Sequence, residues 1–372
     1  MIWTDERVAR AALTWVNPVG SIELATSVAD YGAPDVLAAL RESAEPGVWP
    51  ARAKTVDVEQ LIKDAKSLGI RFLIPGDDEW PVQLINLAGT KIEGQIGGEP
   101  LGLWVRGPRN LAEVSARSVA IVGARASSRY GESVAAEIAA DLAEPASGQE
   151  WTVVSGGAYG IDAAAHRGVL AVDGITIGVY GGGLHEPYPP GNGPLFARIT
   201  EQHLAVSEVA PGMHPTRHGF LARNRLIAAL SAGTVVVEAA TRSGAKNTAR
   251  WASELSRVVM AVPGSIHSTL SLTPHQLIRD GVAVLVTSAE DVRALVGELR
   301  AVSGEEPEST STVLDRLTAK QFQLREVLPA RGGLTLGEIS VLTGFSIPEA
   351  AAVLDELHSL KLAREKAGLW KV

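Results

Sequence analysis

Cysteine is absent from the 372 residues of this chain. The protein therefore has no disulfide, no thiolate metal site and no cysteine nucleophile. It also lacks any run of about 18 apolar residues, so we expect no transmembrane helix. The N-terminal residues are charged from the start and lack the apolar core of a signal peptide. These absences predict a cytoplasmic protein with no membrane contact.

Several signatures of catalysis and cofactor binding are missing as well. Neither the dinucleotide fingerprint G-x-G-x-x-G nor the phosphate loop G-x-x-x-x-G-K-[ST] occurs in the sequence. The eight histidines are scattered, and no paired carboxylates or metal-ligand spacings stand out. We therefore expect no cofactor, no metal site and no nucleotide hydrolysis.

The net charge of −8 argues against nucleic-acid binding driven by total charge. The basic residues are nevertheless concentrated locally. Residues 209–253 contain six basic side chains and one acid, Glu238, and residues 114–131 contain three arginines and no acid. The total charge conceals these two basic segments.

Four regions follow one another along the chain. Residues 1–70 have apolar spacing typical of helices at 7–16, 22–31, 35–42 and 58–68. They resemble a helix-hairpin-helix or sterile-alpha-motif bundle, or form a helical cap without a ligand of its own. Residues 71–118 lead by two strand-like segments into an α/β region that ends at 297. Residues 298–312 are polar and acidic, which is typical of a linker. Residues 313–372 predict three helices and a closing strand pair, a winged helix.

The central region alternates strands and helices. The predicted strands are Val- and Ile-rich runs, as expected for strands buried on both faces, and they span 119–123, 152–155, 175–180, 205–208, 234–239, 258–262 and 283–286. The pattern predicts an extended Rossmann-like, doubly wound parallel sheet. The turns that follow such strands share one edge, where ligands bind.

Five segments with glycines or basic residues, at 119–125, 152–162, 175–183, 223–225 and 235–249, are predicted at this edge. Free N–H groups at helix starts attract anions, so the pattern indicates a groove for a polyanion. The candidate ligand-binding residues are Gly123, Arg125, Ser128, Gly156, Gly157, Gly160, Gly181, Tyr188, Arg223, Asn224, Arg225, Ser243, Gly244 and Lys246.

Each candidate has an alternative interpretation. Gly123 could simply turn the chain, and Tyr188 could stack on a base or pack its own loop. Asn224 is predicted to cap a helix, which would place Arg223 just ahead of it with its planar fork toward phosphate. Alternatively, the arginines of this motif are solvated or form a salt bridge.

Three further residues could be catalytic or structural. Asp162 and His166 share a helix face at i,i+4, as a catalytic pair or as a helix cap with a packing neighbour. Glu238 could position Arg225 or Lys246, or act as a base.

Taken in order, the motifs VAIVGAR, VVSGGAYGIDAAAH, GGGLHEPYPPGN, FLARNRLIAALS and VVVEAATRSGAKNTA resemble the DNA-processing protein A family, also called Smf. They cover about residues 119–264. The resemblance implies binding of single-stranded DNA, loading of the recombinase RecA in natural transformation, and homodimerisation, expected here near residues 270–290. It also implies the absence of enzymatic activity, with Arg125 and the arginines of the 223–225 motif lining the DNA pocket.

Two other functional classes compete with this interpretation. A nucleotide-processing enzyme of the lysine-decarboxylase-like phosphoribohydrolase type would share the fold, but the P-G-G-x-G-T turn of that class is replaced here by residues 241–246. A transcription factor would bind duplex DNA through the winged helix. The helix predicted at 346–360 argues against this, because it carries acids and no Lys or Arg until Lys361.

Overall fold

The computed structural model describes residues 2–90, 92, 97–297 and 317–372. The chain divides into two compact units, Met1–Glu298 and Leu299–Val372. The predicted linker at 298–312 lies outside the described residues. Within them, no helix combines the length and apolar character needed to cross a bilayer.

A nine-stranded sheet, counted over the described residues, runs through the first unit in the order β1-β2-β6-β5-β4-β3-β7-β8-β9. The strands are β1 Ile70–Leu73, β2 Leu103–Arg106, β3 Ser118–Val122, β4 Thr152–Gly156, β5 Thr176–Tyr180, β6 Leu204–Ser207, β7 Gly233–Val236, β8 Val258–Ala261 and β9 Val284–Leu285. The strands β3 to β9 pair in parallel, whereas β1 and β2 add an antiparallel edge beside β6. The prediction of an extended Rossmann-like sheet is confirmed.

Helices cover both faces of this sheet. Helices α6 Leu111–Ser115, α7 Arg129–Ala143, α8 Ile161–Ala171, α9 Gly193–Gln202, α10 Arg217–Leu230, α11 Gly244–Glu254, α12 Leu272–Arg279 and α13 Ala289–Val296 follow β2. Successive side chains of β3 enter opposite cores, Ala120 with α10 and α11, Ile121 with α7 and α8. This alternation follows from the two-residue period of a strand. It accounts for the complete burial of β3, β4 and β5.

The N-terminal helices are part of the first compact unit. They are α1 Asp5–Val16, α2 Ile22–Tyr31, α3 Ala33–Glu42, α4 Val48–Thr55 and α5 Val58–Ser67. Helix α4 was not predicted, because its apolar residues follow no helical stripe. Ala11 of α1 and Leu61 of α5 pack with Phe72 of β1 and Trp104 of β2 in one core. The strand-like segments expected in residues 71–118 therefore belong to the same sheet as the parallel strands, and the boundary at residue 70 stays a prediction.

Over its described residues, 317–372, the second unit contains three helices and a hairpin. Helices α14 Ala319–Val327, α15 Leu336–Thr343 and α16 Ile347–Ser359 precede the antiparallel strands β10 Arg364–Lys366 and β11 Leu369–Lys371. Leu334, just before α15, forms a bridge with Trp370 of β11. A separate core built on Leu324, Ile339 and Leu354 holds the unit together.

Candidate nucleic-acid interface

The carboxyl ends of the parallel strands gather five segments at one edge of the sheet. We call this region the carboxyl edge and define it as residues 123–128, 156–160, 181–189, 208–220 and 237–246. In an open α/β sheet, ligands bind at this edge near the point where the strand order reverses. Here the reversal lies between β3 and β7, since β4 follows on one side of β3 and β7 pairs with the other.

Two glycines let the backbone of the β4–α8 turn approach its neighbours closely. A Cβ on Gly156 would lie 1.7 Å from Nη1 of Arg223, and one on Gly160 would lie 2.3 Å from the carbonyl oxygen of Ala124. Gly160 also has a φ of +74°, which disfavours other residues. Gly123, Gly157 and Gly181 pack against the Ile161 side chain, the Tyr180 ring and the first turn of α10.

The predicted cap at Asn224 is wrong. Helix α10 begins at Arg217, and its N-cap is Thr216, whose side chain accepts from the amide of Gly219. Asn224 lies in the middle of the helix and donates to the carbonyl of Gly244 and to Oδ1 of Asn247 at the start of α11. Residues 223–225 therefore do not form a strand-to-helix turn. Asn224 instead joins two helices.

Arg223 lies beneath the carboxyl edge with only 6% of its surface exposed. Its Nη1 donates to the carbonyl of Val179, 3.0 Å away, while its buried Nε has no hydrogen-bond partner. Burial raises the pKa of the neighbouring Asp162 carboxyl, and the positive charge of Arg223 partly opposes that effect. Arg223 thus supplies positive charge under the glycine turn at Gly156.

Arg225 is fully buried and forms an ion pair with Glu208, contrary to its predicted place in the groove. Its two terminal nitrogens donate to the Glu208 carboxylate at 2.8 and 2.7 Å. A Cβ on Gly20 would lie 2.5 Å from Nη2 of Arg225. The guanidinium therefore packs under the turn between α1 and α2. Burial leaves it inaccessible to a ligand.

Glu238 joins β7 to the start of α7. Its carboxylate accepts from the amide of Ser128 at 2.9 Å and from the Ser128 hydroxyl at 2.6 Å. Its backbone carbonyl accepts from the amide of Ala124 at 2.6 Å. Ser128 in turn caps α7 by accepting from the amide of Gly131. The proposed partners Arg225 and Lys246 bind elsewhere, so that interpretation of Glu238 is wrong.

Aromatic rings and a guanidinium form the exposed part of the edge. The Arg125 guanidinium lies 5.0 Å from the centroid of the Phe220 ring, and the Tyr188 ring lies 5.5 Å from that ring on centroids. Arg125 and Tyr188 are exposed, and Phe220 is half-buried. We call this group the Arg125–Phe220–Tyr188 cluster. It combines charge for phosphates with flat faces for bases.

The turn before α11 adds more positive charge. Ser243 caps α11 by accepting from the amide of Lys246. The Lys246 ammonium donates to the Gln276 side chain at 3.3 Å, and Arg242 and Gly244 are exposed. The start of α11 therefore presents a capped N-terminus with two cations beside it.

His166 has a packing role. Its Nδ1 lies 2.7 Å from the Thr176 hydroxyl and its Nε2 lies 3.1 Å from the carbonyl of Gly156. Burial lowers the pKa of His166 to about 4, so the ring is neutral near pH 7. Both nitrogens are used to hold β4, β5 and α8 together. The Asp162–His166 pair accordingly favours the structural interpretation.

Sequence reasoning missed Phe220 and the ligand-type cluster of His185, Glu186 and His214. The Glu186 carboxylate oxygen lies 2.8 Å from Nδ1 of His214 and 3.7 Å from Nε2 of His185. One signal could have revealed the cluster, because its residues follow the neighbouring strands β5 and β6. Phe220 offered no such signal, since its exposure depends on where α10 begins.

Fold and edge together define a Rossmann-like α/β protein with glycine turns and exposed cations but without the dinucleotide fingerprint. Residues 71–297 match the family described as DNA recombination-mediator protein A. The putative DNA processing protein DprA of Mycobacterium tuberculosis H37Rv is 45% identical over 319 residues, which cover 85% of this chain and 79% of the relative. The chain therefore belongs to the DNA recombination-mediator protein A family, and the resemblance inferred from its motifs is confirmed.

Solved structures agree with this assignment. The X-ray structure of DNA processing protein A from Streptococcus pneumoniae has a TM-score of 0.65 and 32% identity, and the match covers 80% of this chain and all of that one, 100%. The Helicobacter pylori protein has a TM-score of 0.50 and 24% identity over 60% of this chain and 93% of that one. That structure is described as showing a single-stranded DNA binding mode. At this identity it supports the fold alone.

Proposed function

We propose that this protein binds single-stranded DNA across the carboxyl edge. The Arg125–Phe220–Tyr188 cluster carries the proposal. A single strand exposes its bases, and base stacking on aromatic rings beside a cationic track is the usual means of holding it without sequence preference. Membership of the family described as DNA recombination-mediator protein A supports a DNA ligand.

Further exposed cations extend the cluster along the edge. Arg129 and Arg217 occupy the first positions of α7 and α10, and Arg242 precedes α11. Two capped helix starts, at Thr216 and Ser243, add their dipoles. Of the three acids of this edge, Glu208 and Glu238 are buried and bonded internally, and only Glu186 is exposed. A strand of phosphates therefore meets mainly positive charge there despite the net charge of −8.

A titration of fluorescent oligonucleotides at several salt concentrations tests the proposal. We expect single strands to bind more tightly than blunt duplex, with little dependence on sequence. The logarithm of the association constant should fall with the logarithm of salt by about 0.7 per neutralised phosphate. Equal affinity for duplex, or a salt-independent constant, would exclude a single-strand groove.

The family also supports a role in natural transformation. We propose that the protein protects incoming DNA and loads RecA onto it. Assembly of RecA on a single strand already covered by single-strand-binding protein should speed up when this protein is added. An unchanged assembly rate, with DNA binding intact, would confine the function to binding.

A homodimer is proposed through residues 270–290. Leu272, Val284 and Leu285 are about half exposed, and β9 is the open edge of the sheet. Exposed apolar edge strands invite pairing with a second chain. Sedimentation should show a dimer at micromolar concentration and a monomer for Val284→Lys. A monomer in both would contradict the interface.

We propose binding without catalysis, in the cytoplasm where the DNA is handled. A phosphoribohydrolase would use Glu238 as its catalytic base. Here the Glu238 carboxylate accepts hydrogen bonds from the amide and the hydroxyl of Ser128. No hydrolysis of nucleoside monophosphates is therefore expected. A turnover that disappears in Glu238→Ala would favour the phosphoribohydrolase alternative.

For the second unit we propose a winged helix that contacts a protein. Glu349 and Glu356 of α16 bond to Lys320 and Gln321 of α14, so this helix is held by its acids rather than offering donors to base edges. The exposed side chains Val341 and Leu342 of α15 provide an apolar contact surface. Removing residues 313–372 should leave single-strand affinity unchanged, and a large loss of duplex affinity would indicate the transcription-factor alternative.

A further inference from the structure

Three side chains with metal-ligand chemistry converge within the carboxyl edge from two different loops. His185 and Glu186 follow β5, and His214 follows β6. One ligand atom from each lies within 4.8 Å of the others, which among the described residues is the one such group of three or more. None of the three is needed for the single-strand proposal.

The composition of this group fits one class of ion. Two imidazoles and a carboxylate are ligands that Zn²⁺ accepts, with a fourth position left for water. Bond lengths near 2.0 to 2.2 Å in tetrahedral geometry separate the ligand atoms by about 3.3 Å. The distances from the Glu186 oxygen, 2.8 Å to His214 and 3.7 Å to His185, lie on either side of that value. Movements of less than about 1 Å would therefore form the site.

We propose that His185, Glu186 and His214 bind a divalent transition-metal ion of the zinc class. Exposure of Glu186 and His214 gives the ion an open path from solvent. Mg²⁺ and Ca²⁺ do not fit, because these ions prefer all-oxygen sites.

One existing hydrogen bond sets the strength of the site. Nδ1 of His185 accepts from the amide of Gly212 at 3.1 Å. If His185 coordinates the ion through Nε2, its ring proton lies on Nδ1. Nδ1 can then no longer accept the hydrogen bond from the Gly212 amide, which must donate to water instead. Gly212 lies in an exposed turn with a φ of +88°, where water can replace the lost bond. We expect micromolar affinity rather than that of a preformed structural site.

Metal binding would tie together two loops. The 184–189 loop carries Tyr188, and the 208–216 loop leads into the first turn of α10, which carries Phe220. An ion shared by His185 and His214 would fix the distance between these loops. The site therefore acts as a cross-link beside the aromatic pair.

Titration of the full-length, untagged protein with ZnCl₂ by calorimetry tests the proposal, and the absorption spectrum of added Co²⁺ reports the ligand geometry. We expect one ion per chain and a tetrahedral Co²⁺ spectrum. His185→Ala and His214→Ala should abolish both signals, and Glu186→Gln should weaken binding by at least about 10-fold.

Two histidine variants serve as matched controls. His267→Ala removes an exposed histidine from a different loop, and His218→Ala removes one four residues from His214. Both should bind Zn²⁺ like the parent chain, with unchanged circular dichroism for all variants. No binding by the parent chain, binding that survives His185→Ala and His214→Ala, or loss of binding in His218→Ala would each overturn the site.

Discussion

Arginines from two motifs of the same α/β region differ in exposure to solvent. Arg125 projects from a turn and lies over an aromatic ring, whereas Arg223 and Arg225 lie in the part of α10 that is buried on all sides. In the sequence, both sets belong to a motif beside glycine turns. The difference shows that a basic motif at a ligand edge can be partly structural, because only the backbone path decides which guanidinium reaches solvent.

The two buried arginines, Arg223 and Arg225, differ in their hydrogen-bond partners. Arg225 has a bidentate carboxylate partner, while Arg223 has one carbonyl bond, and the Nε of each arginine lacks a partner. The ion pair with Glu208 gives Arg225 a structural role without a ligand. Arg223, bonded only to the carbonyl of Val179 and lying beneath the edge, keeps more unused donor capacity.

The largest effect is expected for Arg225→Met, on stability. Removing one partner of a buried ion pair leaves the Glu208 charge uncompensated and should cost about 3 to 5 kcal/mol in the free energy of unfolding. Denaturant titration measures this. The double variant Arg225→Met with Glu208→Met should recover part of the loss, since both charges are then gone. A single variant within about 0.5 kcal/mol of the parent would mean that the pair is not buried.

Arg125→Ala should affect binding and spare stability. The loss of a charge-assisted contact to phosphate, about 1.5 to 3 kcal/mol, corresponds to roughly 10- to 100-fold weaker single-strand binding. Arg125→Lys should fall in between, because it keeps the charge and loses the planar fork. Arg167→Ala, which removes an exposed arginine on the body of α8, is the control. Equal losses for Arg125→Ala and Arg167→Ala would contradict a local contact.

His166, another buried side chain of this region, should make the free energy of unfolding depend on pH. Its pKa is about 4 in the fold and about 6.5 in an unfolded chain. The unfolded state therefore binds more protons, and stability present above pH 6.5 is lost as the pH falls toward 4. Between pH 7 and 5 this amounts to about 2 kcal/mol. His166→Gln keeps a donor and an acceptor and should show that much less acid sensitivity in denaturant titrations. Parallel pH profiles would place the histidine outside the core.

The smallest effect is expected for Lys246→Ala. Lys246 is half-buried and already bonded to Gln276, so its share of the binding energy should be modest. The slope of the log–log salt plot should fall by about 0.7, the value for one phosphate on a single strand. Lys63→Ala, an exposed lysine on α5, should leave the slope unchanged. An unchanged slope for Lys246→Ala would remove this residue from the interface.

The sheet could be predicted from the sequence because its strands are apolar runs buried on both faces, and the predicted positions of β3 to β9 agree with the structure within a few residues. Helix α4 could not, since its apolar residues follow no helical stripe. The antiparallel pairing of β1 and β2 depends on contacts distant in sequence, which a local pattern does not specify.

The site was harder to predict for a physical reason. Asn224 is a good cap by residue type, but Thr216, eight positions earlier, takes that role. Where α10 begins decides that Phe220 is at the surface and Arg225 is inside. The cluster of His185, Glu186 and His214 likewise depends on two loops meeting, so that no single stretch of sequence reveals it.

The position of the Glu238 carboxylate affects where an anionic ligand can bind at the edge of this sheet. In dinucleotide-binding relatives of the fold, the pyrophosphate occupies the helix start at the switch point. In this chain a carboxylate of the protein itself occupies the corresponding place, bonded to the amide and hydroxyl of Ser128. The Glu238 carboxylate thus takes the place that a ligand phosphate occupies in those proteins. A nucleotide phosphate would meet repulsion at that position, so we expect the proposed single strand to bind nearer to β4, β5 and the aromatic rings.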